Sequence, residues 1–395
     1  MTSEPVAFNP FLPEVIANPY PTYHRLRQED PVHLSPLGIW ALSRYDDAAM
    51  LLRDPRFGRR GFQQILESRF GRQGLGQSML FQDPPDHTRL RTLVNKGFTP
   101  RVIEGMRGHI QQVVDKLLDQ VKAAGRMDVV ADLAYPLPVI VICEMVGVPA
   151  EDRDKFRDWS YAIARSLDAI AVPNEELARR ANEAQDALTA YFARLIEERR
   201  RAPRPDLLSA LIAAEEAGDR LTTQELFATG ILLFIAGHET TVNLIGNGTL
   251  ALLRNPDQMQ RLRAEPGLIA SAVEELLRYD SPVQRTGRLL YEDVTIAGKT
   301  IPKGSIAVAL IGAANRDPAH FPDPDRLDIT RSDNRHLAFG WGIHFCLGAP
   351  LARLEGQIAF STLLRRFPRL ALGDDQVEYR ETSTLRGLRA LPVTF

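Results

Sequence analysis

One stretch limits the folds open to this chain more than any other. From Leu226 to Arg254 there is no proline and most residues are apolar, and Asn255-Pro256 closes the run. In front of it Thr222-Thr223-Gln224-Glu225 has the pattern of a capping box, with Thr222 able to cap and Glu225 able to reach back. The run predicts a helix of roughly 45 Å at 1.5 Å per residue, long enough to cross a whole domain. In its middle, Ala236-Gly237-His238-Glu239-Thr240-Thr241 follows the apolar Ile231-Leu232-Leu233-Phe234-Ile235. Gly237 weakens a helix interior by about 1 kcal/mol, and paired threonines strain it or bond back to the preceding turn. Such a segment is either a polar face meeting solvent or a place kept for chemistry.

The rest of the chain suits a helical body. Helical pattern dominates from His87 to Arg278, punctuated by Pro100, Gly125, Pro149, Pro173 and Pro203-Arg204-Pro205. Asn174 is placed to cap a long helix to Arg201, whose end Arg199-Arg200-Arg201 reads as solvated. Val32-His33-Leu34 and Ile39-Trp40-Ala41-Leu42 read as a hairpin. Between Arg56 and Gln82 five glycines and poor periodicity predict loops with short helical pieces, of which the glycine-containing loop Phe57 to Gly76 suits a lid. After Arg278 short strands take over: Arg288–Leu290, Val294–Ile296, Ala307–Leu310 and Ala390–Val393. The expected class is mainly α with a smaller β-rich part (α+β), as one domain over 1–395. Its β-rich part covers about 30–45, 288–310 and the C-terminus, and its helical body about 87–278 and 350–367.

A net charge of -2 argues against nucleic acid as a general partner. The start of the chain lacks a signal-peptide pattern, and the apolar stretch Leu133 to Val148 is interrupted by Pro136, Pro138 and Glu144. A cytoplasmic protein without a membrane anchor, and a monomer, is expected. Of the two cysteines, Cys143 lies in an apolar run and reads as a buried, inert thiol.

Cys346 is different. It sits in Phe339-Gly340-Trp341-Gly342-Ile343-His344-Phe345-Cys346-Leu347-Gly348, ahead of a helix start at Pro350-Leu351-Ala352-Arg353-Leu354-Glu355. A cysteine just before a helix N-terminus meets backbone dipoles that favour the thiolate. Gly340, Gly342 and Gly348 let backbone N–H groups and a flat ligand approach closely. A thiolate held so is a nucleophile or a metal ligand.

Phe-Gly-x-Gly-x-His-x-Cys-x-Gly, without a gap, resembles the haem-binding loop of the cytochrome P450 family. The resemblance runs from about Pro21 to the C-terminus. It implies haem b with Cys346 as axial thiolate, the loop contacts Phe339, Gly340 and Gly348, and Ala236 on a long helix crossing over the haem. Ala-Gly-x-Glu-Thr resembles the family's oxygen-activation segment, so Thr240 would donate a hydrogen bond to the oxygen being activated and Glu239 would pass protons inward. His87, Arg91, Arg288, His336 and His344 match family positions for propionate contacts. Glu275-x-x-Arg278 with Arg326 resembles the network that braces the cysteine loop.

By the same analogy a substrate pocket would take Met79, Leu80, Leu232, Ile235, Val283, Thr286 and Leu385, with further wall from the loop 167–173. These residues suit a hydrophobic or amphipathic small molecule such as a terpenoid, steroid, macrolide or fatty acid. Arg285 would steer a carboxylate, or point to solvent or a propionate. The implied activity is a monooxygenase reaction on O2. Its electrons would come from NAD(P)H through a reductase and a ferredoxin or flavodoxin, with Arg101, Arg353 and Arg365-Arg366 as candidate contacts. A peroxide-driven peroxygenase or a non-catalytic haem sensor would keep the loop, but Glu239 and Thr240 argue against both.

Overall fold

The computed structural model describes residues 8–71, 74–169, 174–216, 221–374 and 376–395. The chain divides into two compact units, one of residues up to 58, 114–134 and 240–395, the other of 59–113 and 135–239.

Among the described residues the first unit holds ten short strands: β1 Val32–Leu34, β2 Ile39–Leu42, β3 Phe57–Gly58, β4 Arg126–Asp128, β5 Arg285–Leu290, β6 Val294–Ile296, β7 Lys299–Ile301, β8 Ile306–Leu310, β9 Ala371–Leu372 and β10 Pro392–Thr394. The β1–β2 hairpin forms as its turn residues require. Gly38 takes φ of 72°, a value open to glycine, and Ser35 N–H closes on the Ile39 carbonyl at 2.9 Å. β2 then pairs in parallel with β8, Ile39 opposite Ile306 and Leu42 opposite Ala309. The five-stranded sheet runs β1-β2-β8-β5-β3, so early and late strands do join. Leu42, Leu51, Ala309, Ile301, Phe321 and Leu337 pack in a dry core against it.

β4 was hidden in the sequence. It lies inside the stretch read as helical, turned out of it by Gly125 at φ 63°, and pairs antiparallel with β10. Three residues are too few to show a period, and their partner lies at the far end of the chain. The described part of the segment 56–82 holds the short helical pieces expected of it. It contains a nine-residue helix, Phe62–Phe70, framed by Gly61 and Gly71 at φ 100° and 69°.

In the second unit, helix Phe156–Ala169 packs on helix Glu175–Arg201, whose cap Asn174 accepts from Leu177 N–H at 2.9 Å. Phe156 meets Tyr191 edge-on at 4.8 Å and Phe234 at 4.5 Å, an aromatic centre to this unit. Arg199 corrects the expectation of a solvated helix end. It is 1% exposed and donates to Asp206 at 2.7 Å and to the Gly147 carbonyl at 2.5 Å.

The long helix spans Thr223–Arg254, 32 residues. Its capping box closes both ways: Glu225 N–H donates to Thr222 Oγ1 at 3.2 Å, and Thr222 N–H to Glu225 Oε2 at 2.8 Å. Arg89 adds a bidentate pair to the same Glu225 carboxylate. By length and hydropathy the helix could cross a bilayer, but 83% of its most apolar window is buried in protein, which makes it a core helix. Its glycines mark close packing. A Cβ at Gly237 would stand 2.7 Å from Ile142 carbons, and one at Gly248 2.5 Å from the Phe360 ring. At Gly246 the nearest atom, on Val130, would be 3.6 Å away, an ordinary contact. Gly248→Ala should therefore cost about 1–3 kcal/mol by overpacking, while Gly246→Ala should leave stability unchanged or raise it by up to about 1 kcal/mol. Urea unfolding of the two variants checks the contrast, and equal effects would contradict it.

Candidate functional site

The cysteine loop is held by its own backbone. Cys346 N–H donates to the Phe339 carbonyl at 2.8 Å, and Gly340 N–H to Leu337 at 2.8 Å. Gly340 and Gly342 take φ of 71° and 72°, which a side chain would resist, and a Cβ on Gly342 would stand 2.7 Å from the Leu52 carbonyl oxygen. Gly348 is the N-cap of helix Ala349–Arg366, and Pro350 lies in its first turn. Cys346 thus sits half-buried, three residues ahead of a helix N-terminus.

Beneath the loop lies a buried ion pair. Glu275 and Arg278 are both fully buried and meet through two bonds of 2.7 and 2.8 Å. Arg278 also donates to the carbonyls of Asn315, Pro324 and Arg326. The side chain that completes the network is Arg331, at 3.2 Å from Glu275, and not Arg326. Arg326 is exposed and offers only its carbonyl. Asp328 N–H and Asn334 Nδ2 fill the remaining positions on Glu275. Sequence spacing favoured Arg326 for its place after Pro324; the turn at Asp328 to Thr330 brings Arg331 round instead.

A second cluster went unread. Glu274 takes both Arg353 Nε and an Nη at 2.7 and 2.8 Å, and His336 Nε2 at 3.2 Å. Burial by itself raises the Glu274 carboxyl, but Arg353 and His336 outweigh it and hold the group down at about 2. His336 Nδ1 accepts from Ala338 N–H at 3.2 Å, so both ring nitrogens are engaged inside this unit. This geometry differs from the propionate contact expected of His336. The guanidinium of Arg353 lies 4.6 Å above the Phe339 ring, and Glu274, His336, Phe339, Gly340, Phe345 and Arg353 line a cavity of about 540 Å³. The adjacency of Glu274 to the motif residue Glu275 was the available signal.

The other expected cofactor contacts fall as follows. Arg288, 2% exposed on β5, donates to the Gly287 carbonyl at 2.9 Å and to Thr286 Oγ1 at 3.4 Å. His344 is half-buried on the turn Gly342–His344. In the second unit His87 is buried and Arg91 half-buried, one turn apart on helix Asp86–Asn95. Of the pocket residues, Val283 and Leu385 are bridged antiparallel, with Thr286 half-buried on the neighbouring strand. In the second unit, Met79, Leu232 and Ile235 are buried and Leu80 is half-buried. Of the wall at 167–173, residues 170–173 lie outside the described ones. Arg285 does not face solvent: it is 7% exposed, donates to Ser383 and lies over the Phe11 ring at 5.2 Å. Cys143 is as inert as expected, its thiol pushed up to about 12 by burial.

On the long helix the pattern of exposure is unusual. Leu232 to Ile235 and His238, Glu239 are buried, yet Ala236 is exposed and Gly237 and Thr240 are half-open. Small residues thus leave one face of a buried helix bare. Among the described residues no group of three or more His, Cys, Asp or Glu side chains could hold a metal ion. A metal on Cys346 must therefore bring its other ligands with it, as a porphyrin does. Within the first unit the single soft Cys346 sulfur and the buried Arg288 fit that group.

Two predictions follow the bracing. Arg331→Ala should lose bound haem while Arg326→Ala keeps it, read as haem per protein; the reverse pattern would restore Arg326 to the network. Glu274 has a depressed folded value, so its stabilisation is full above 4.5, its ordinary value, and drains away as pH falls towards 2. Glu274→Gln should therefore be clearly less stable than the parent in urea at pH 5, with the gap narrowing at pH 3. A constant gap would contradict this.

The family described as Cytochrome P450 matches residues 31–391. The polyketide biosynthesis cytochrome P450 PksS of Bacillus subtilis is 44% identical over 99% of this chain and 99% of its own. The vitamin D(3) 25-hydroxylase of Pseudonocardia autotrophica is 46% identical over 95% of this chain and 94% of its own. Among solved structures, P450BioI in complex with a hexadec-9Z-enoic acid ligated acyl carrier protein superposes with a TM-score of 0.89 at 44% identity, over 97% of this chain and 99% of that one. The cysteine loop, its buried brace and likeness along nearly the whole length lead to one assignment: the chain belongs to the cytochrome P450 family and is a monooxygenase.

Proposed function

We propose that this enzyme inserts one oxygen atom of O2 into a C–H or C=C bond of a hydrophobic small molecule. Its electrons come from NAD(P)H by way of a reductase and a separate ferredoxin or flavodoxin. The observation that carries the reading is the bare face of Ala236 and Thr240, one turn apart, beside a buried acid, Glu239, on one helix.

Haem ligated by a thiolate supplies the activation of dioxygen. In this reading Cys346 would hold its iron, Phe339, Gly340 and Gly348 would contact it, and His87, Arg91, Arg288 and His344 would pair with its carboxylates. Thr240 supplies a hydroxyl on the open face, and Glu239 supplies protons to it. An acid and an alcohol in consecutive positions fit a reaction that consumes protons at one oxygen atom. Neither a peroxide-driven enzyme nor a sensor needs them.

The substrate side is apolar: Met79, Leu80, Leu232, Ile235, Val283 and Leu385, with Thr286 as a polar exception. The names of the relatives support a large apolar skeleton, since they refer to polyketide biosynthesis, vitamin D3 and a fatty acid on acyl carrier protein. For the electron donor, the exposed Ile343 and Phe345 next to Cys346, with Arg353 at the cavity edge, support docking at that loop. Arg366 is already paired with Asp115 and Asp119, whereas Arg101 and Arg365 are exposed. A reducing compartment, hence the cytoplasm, suits a free thiolate ligand.

The reduced, CO-bound protein should show the red-shifted Soret band of thiolate ligation, and its absence would reject Cys346 as ligand. Product should form with ferredoxin, reductase and NAD(P)H; formation with peroxide alone would favour the peroxygenase. Thr240→Ala should keep haem and substrate binding but lower product per NAD(P)H several-fold. Unchanged coupling would remove Thr240 from the reaction.

A further inference from the structure

We propose that His238 is a positioning residue that makes its neighbour Glu239 a one-proton store, the two sharing a single proton inside the long helix; the inference rests on the proton-delivery role given above to Glu239. His238 is 0% exposed and Glu239 4%. The imidazole Nδ1 lies 2.7 Å from the Phe234 carbonyl oxygen, one turn back on the helix. A carbonyl only accepts, so Nδ1 carries the hydrogen. In the neutral ring, Nε2 is then a bare acceptor. It is buried, has no hydrogen-bond partner, and faces Glu239 Oε1 at 3.6 Å. That is an ion-pair distance, slightly beyond a hydrogen bond.

A bare imidazole nitrogen and a carboxylate oxygen turned towards each other in a buried place repel. One proton between them reverses the sign, either as imidazolium with carboxylate or as neutral imidazole with carboxylic acid. The ring's described aromatic neighbours are uncharged: Phe234 lies 4.9 Å away and Tyr135 stands edge-on at 6.2 Å. Arg157 lies over the Tyr135 ring, 4.8 Å from its centre. Glu239 keeps further contacts of its own.

The step this permits balances simply. Glu239 passes its O–H proton inward to the Thr240 hydroxyl as that hydroxyl gives its own proton to the oxygen atom being reduced, and Glu239 is left as a carboxylate. That state places two acceptors face to face, so it draws the next proton from solvent and the store refills. No oxidant, reductant or other reactant is needed. His238 never touches the substrate or the cofactor; it sets how readily Glu239 recharges.

The test uses the haem-loaded enzyme in its reduced, CO-bound form, which is diamagnetic. With ¹⁵N-labelled histidine, the His238 Nε2 resonance should be that of a protonated or strongly hydrogen-bonded nitrogen. A bare Nε2 together with an ionised Glu239 in the infrared spectrum would overturn the proposal, and needs no variant. His238→Gln retains a polar side chain but cannot hold the proton. It should keep haem content and the CO band, lower product per NAD(P)H several-fold, and enlarge the solvent isotope effect on product formation. Parental coupling and isotope effect in that variant would also overturn it. Glu239→Gln with unchanged coupling, alongside a shared proton seen by NMR, would reject the delivery role of Glu239 while leaving the pair intact.

Discussion

Glu275 and Arg278 form an ion pair with no exposure to water, and the path to Cys346 is wound around it. Neither charge tolerates burial alone; removing one partner of such a pair costs about 3–5 kcal/mol. Because both are present, their remaining valences dictate where the following chain goes. Arg278 collects the carbonyls of Asn315, Pro324 and Arg326, while Glu275 collects Asp328 N–H, Arg331 and Asn334. Asn315 then accepts from Leu337 N–H at 2.7 Å and donates to Ser281 at 2.7 Å. An irregular segment with little regular structure is so given a fixed course, and it ends at the glycines around the thiolate. The pair thus fixes the course of the chain that carries Cys346.

The elements that were legible in the sequence share one property: their signals are local. The capping box at Thr222, the turn at Ser35 to Gly38, the cap at Asn174 and the cysteine loop each fit within ten residues. What stayed hidden depends on partners far along the chain. β4 is a strand only because β10 lies beside it, Arg331 is found only after the turn at Asp328, and Arg199 is buried only because Asp206 and Gly147 close over it. His336 shows the limit of analogy: its place near the loop was expected, but its partner Glu274 looked like one more acid beside a motif.

The long helix combines two demands that ordinarily conflict. As a core element it must be apolar and tightly packed, which Ile142 and Phe360 enforce against Gly237 and Gly248. As a site it must be bare and polar. The sequence meets both by grouping small residues on one face and placing His238 and Glu239 where the helix is buried. The weakened propensity at Gly237 is a cost of about 1 kcal/mol, small beside what a helix this deeply packed recovers.

The parallel pairing of β2 with β8, and the antiparallel pairing of β4 with β10, have a consequence for how the molecule comes into being. Residues 39–42 wait for 306–310, and 126–128 wait for 392–394, so both sheets can close only after most or all of the chain has been made. Loop closure over such spans is slow. During synthesis the first hairpin therefore exists with an unpaired edge, the condition under which strands seek wrong partners. Production yield and chaperone dependence are written into this topology, and shortening those waits by circular permutation is a physical route to a faster-folding enzyme.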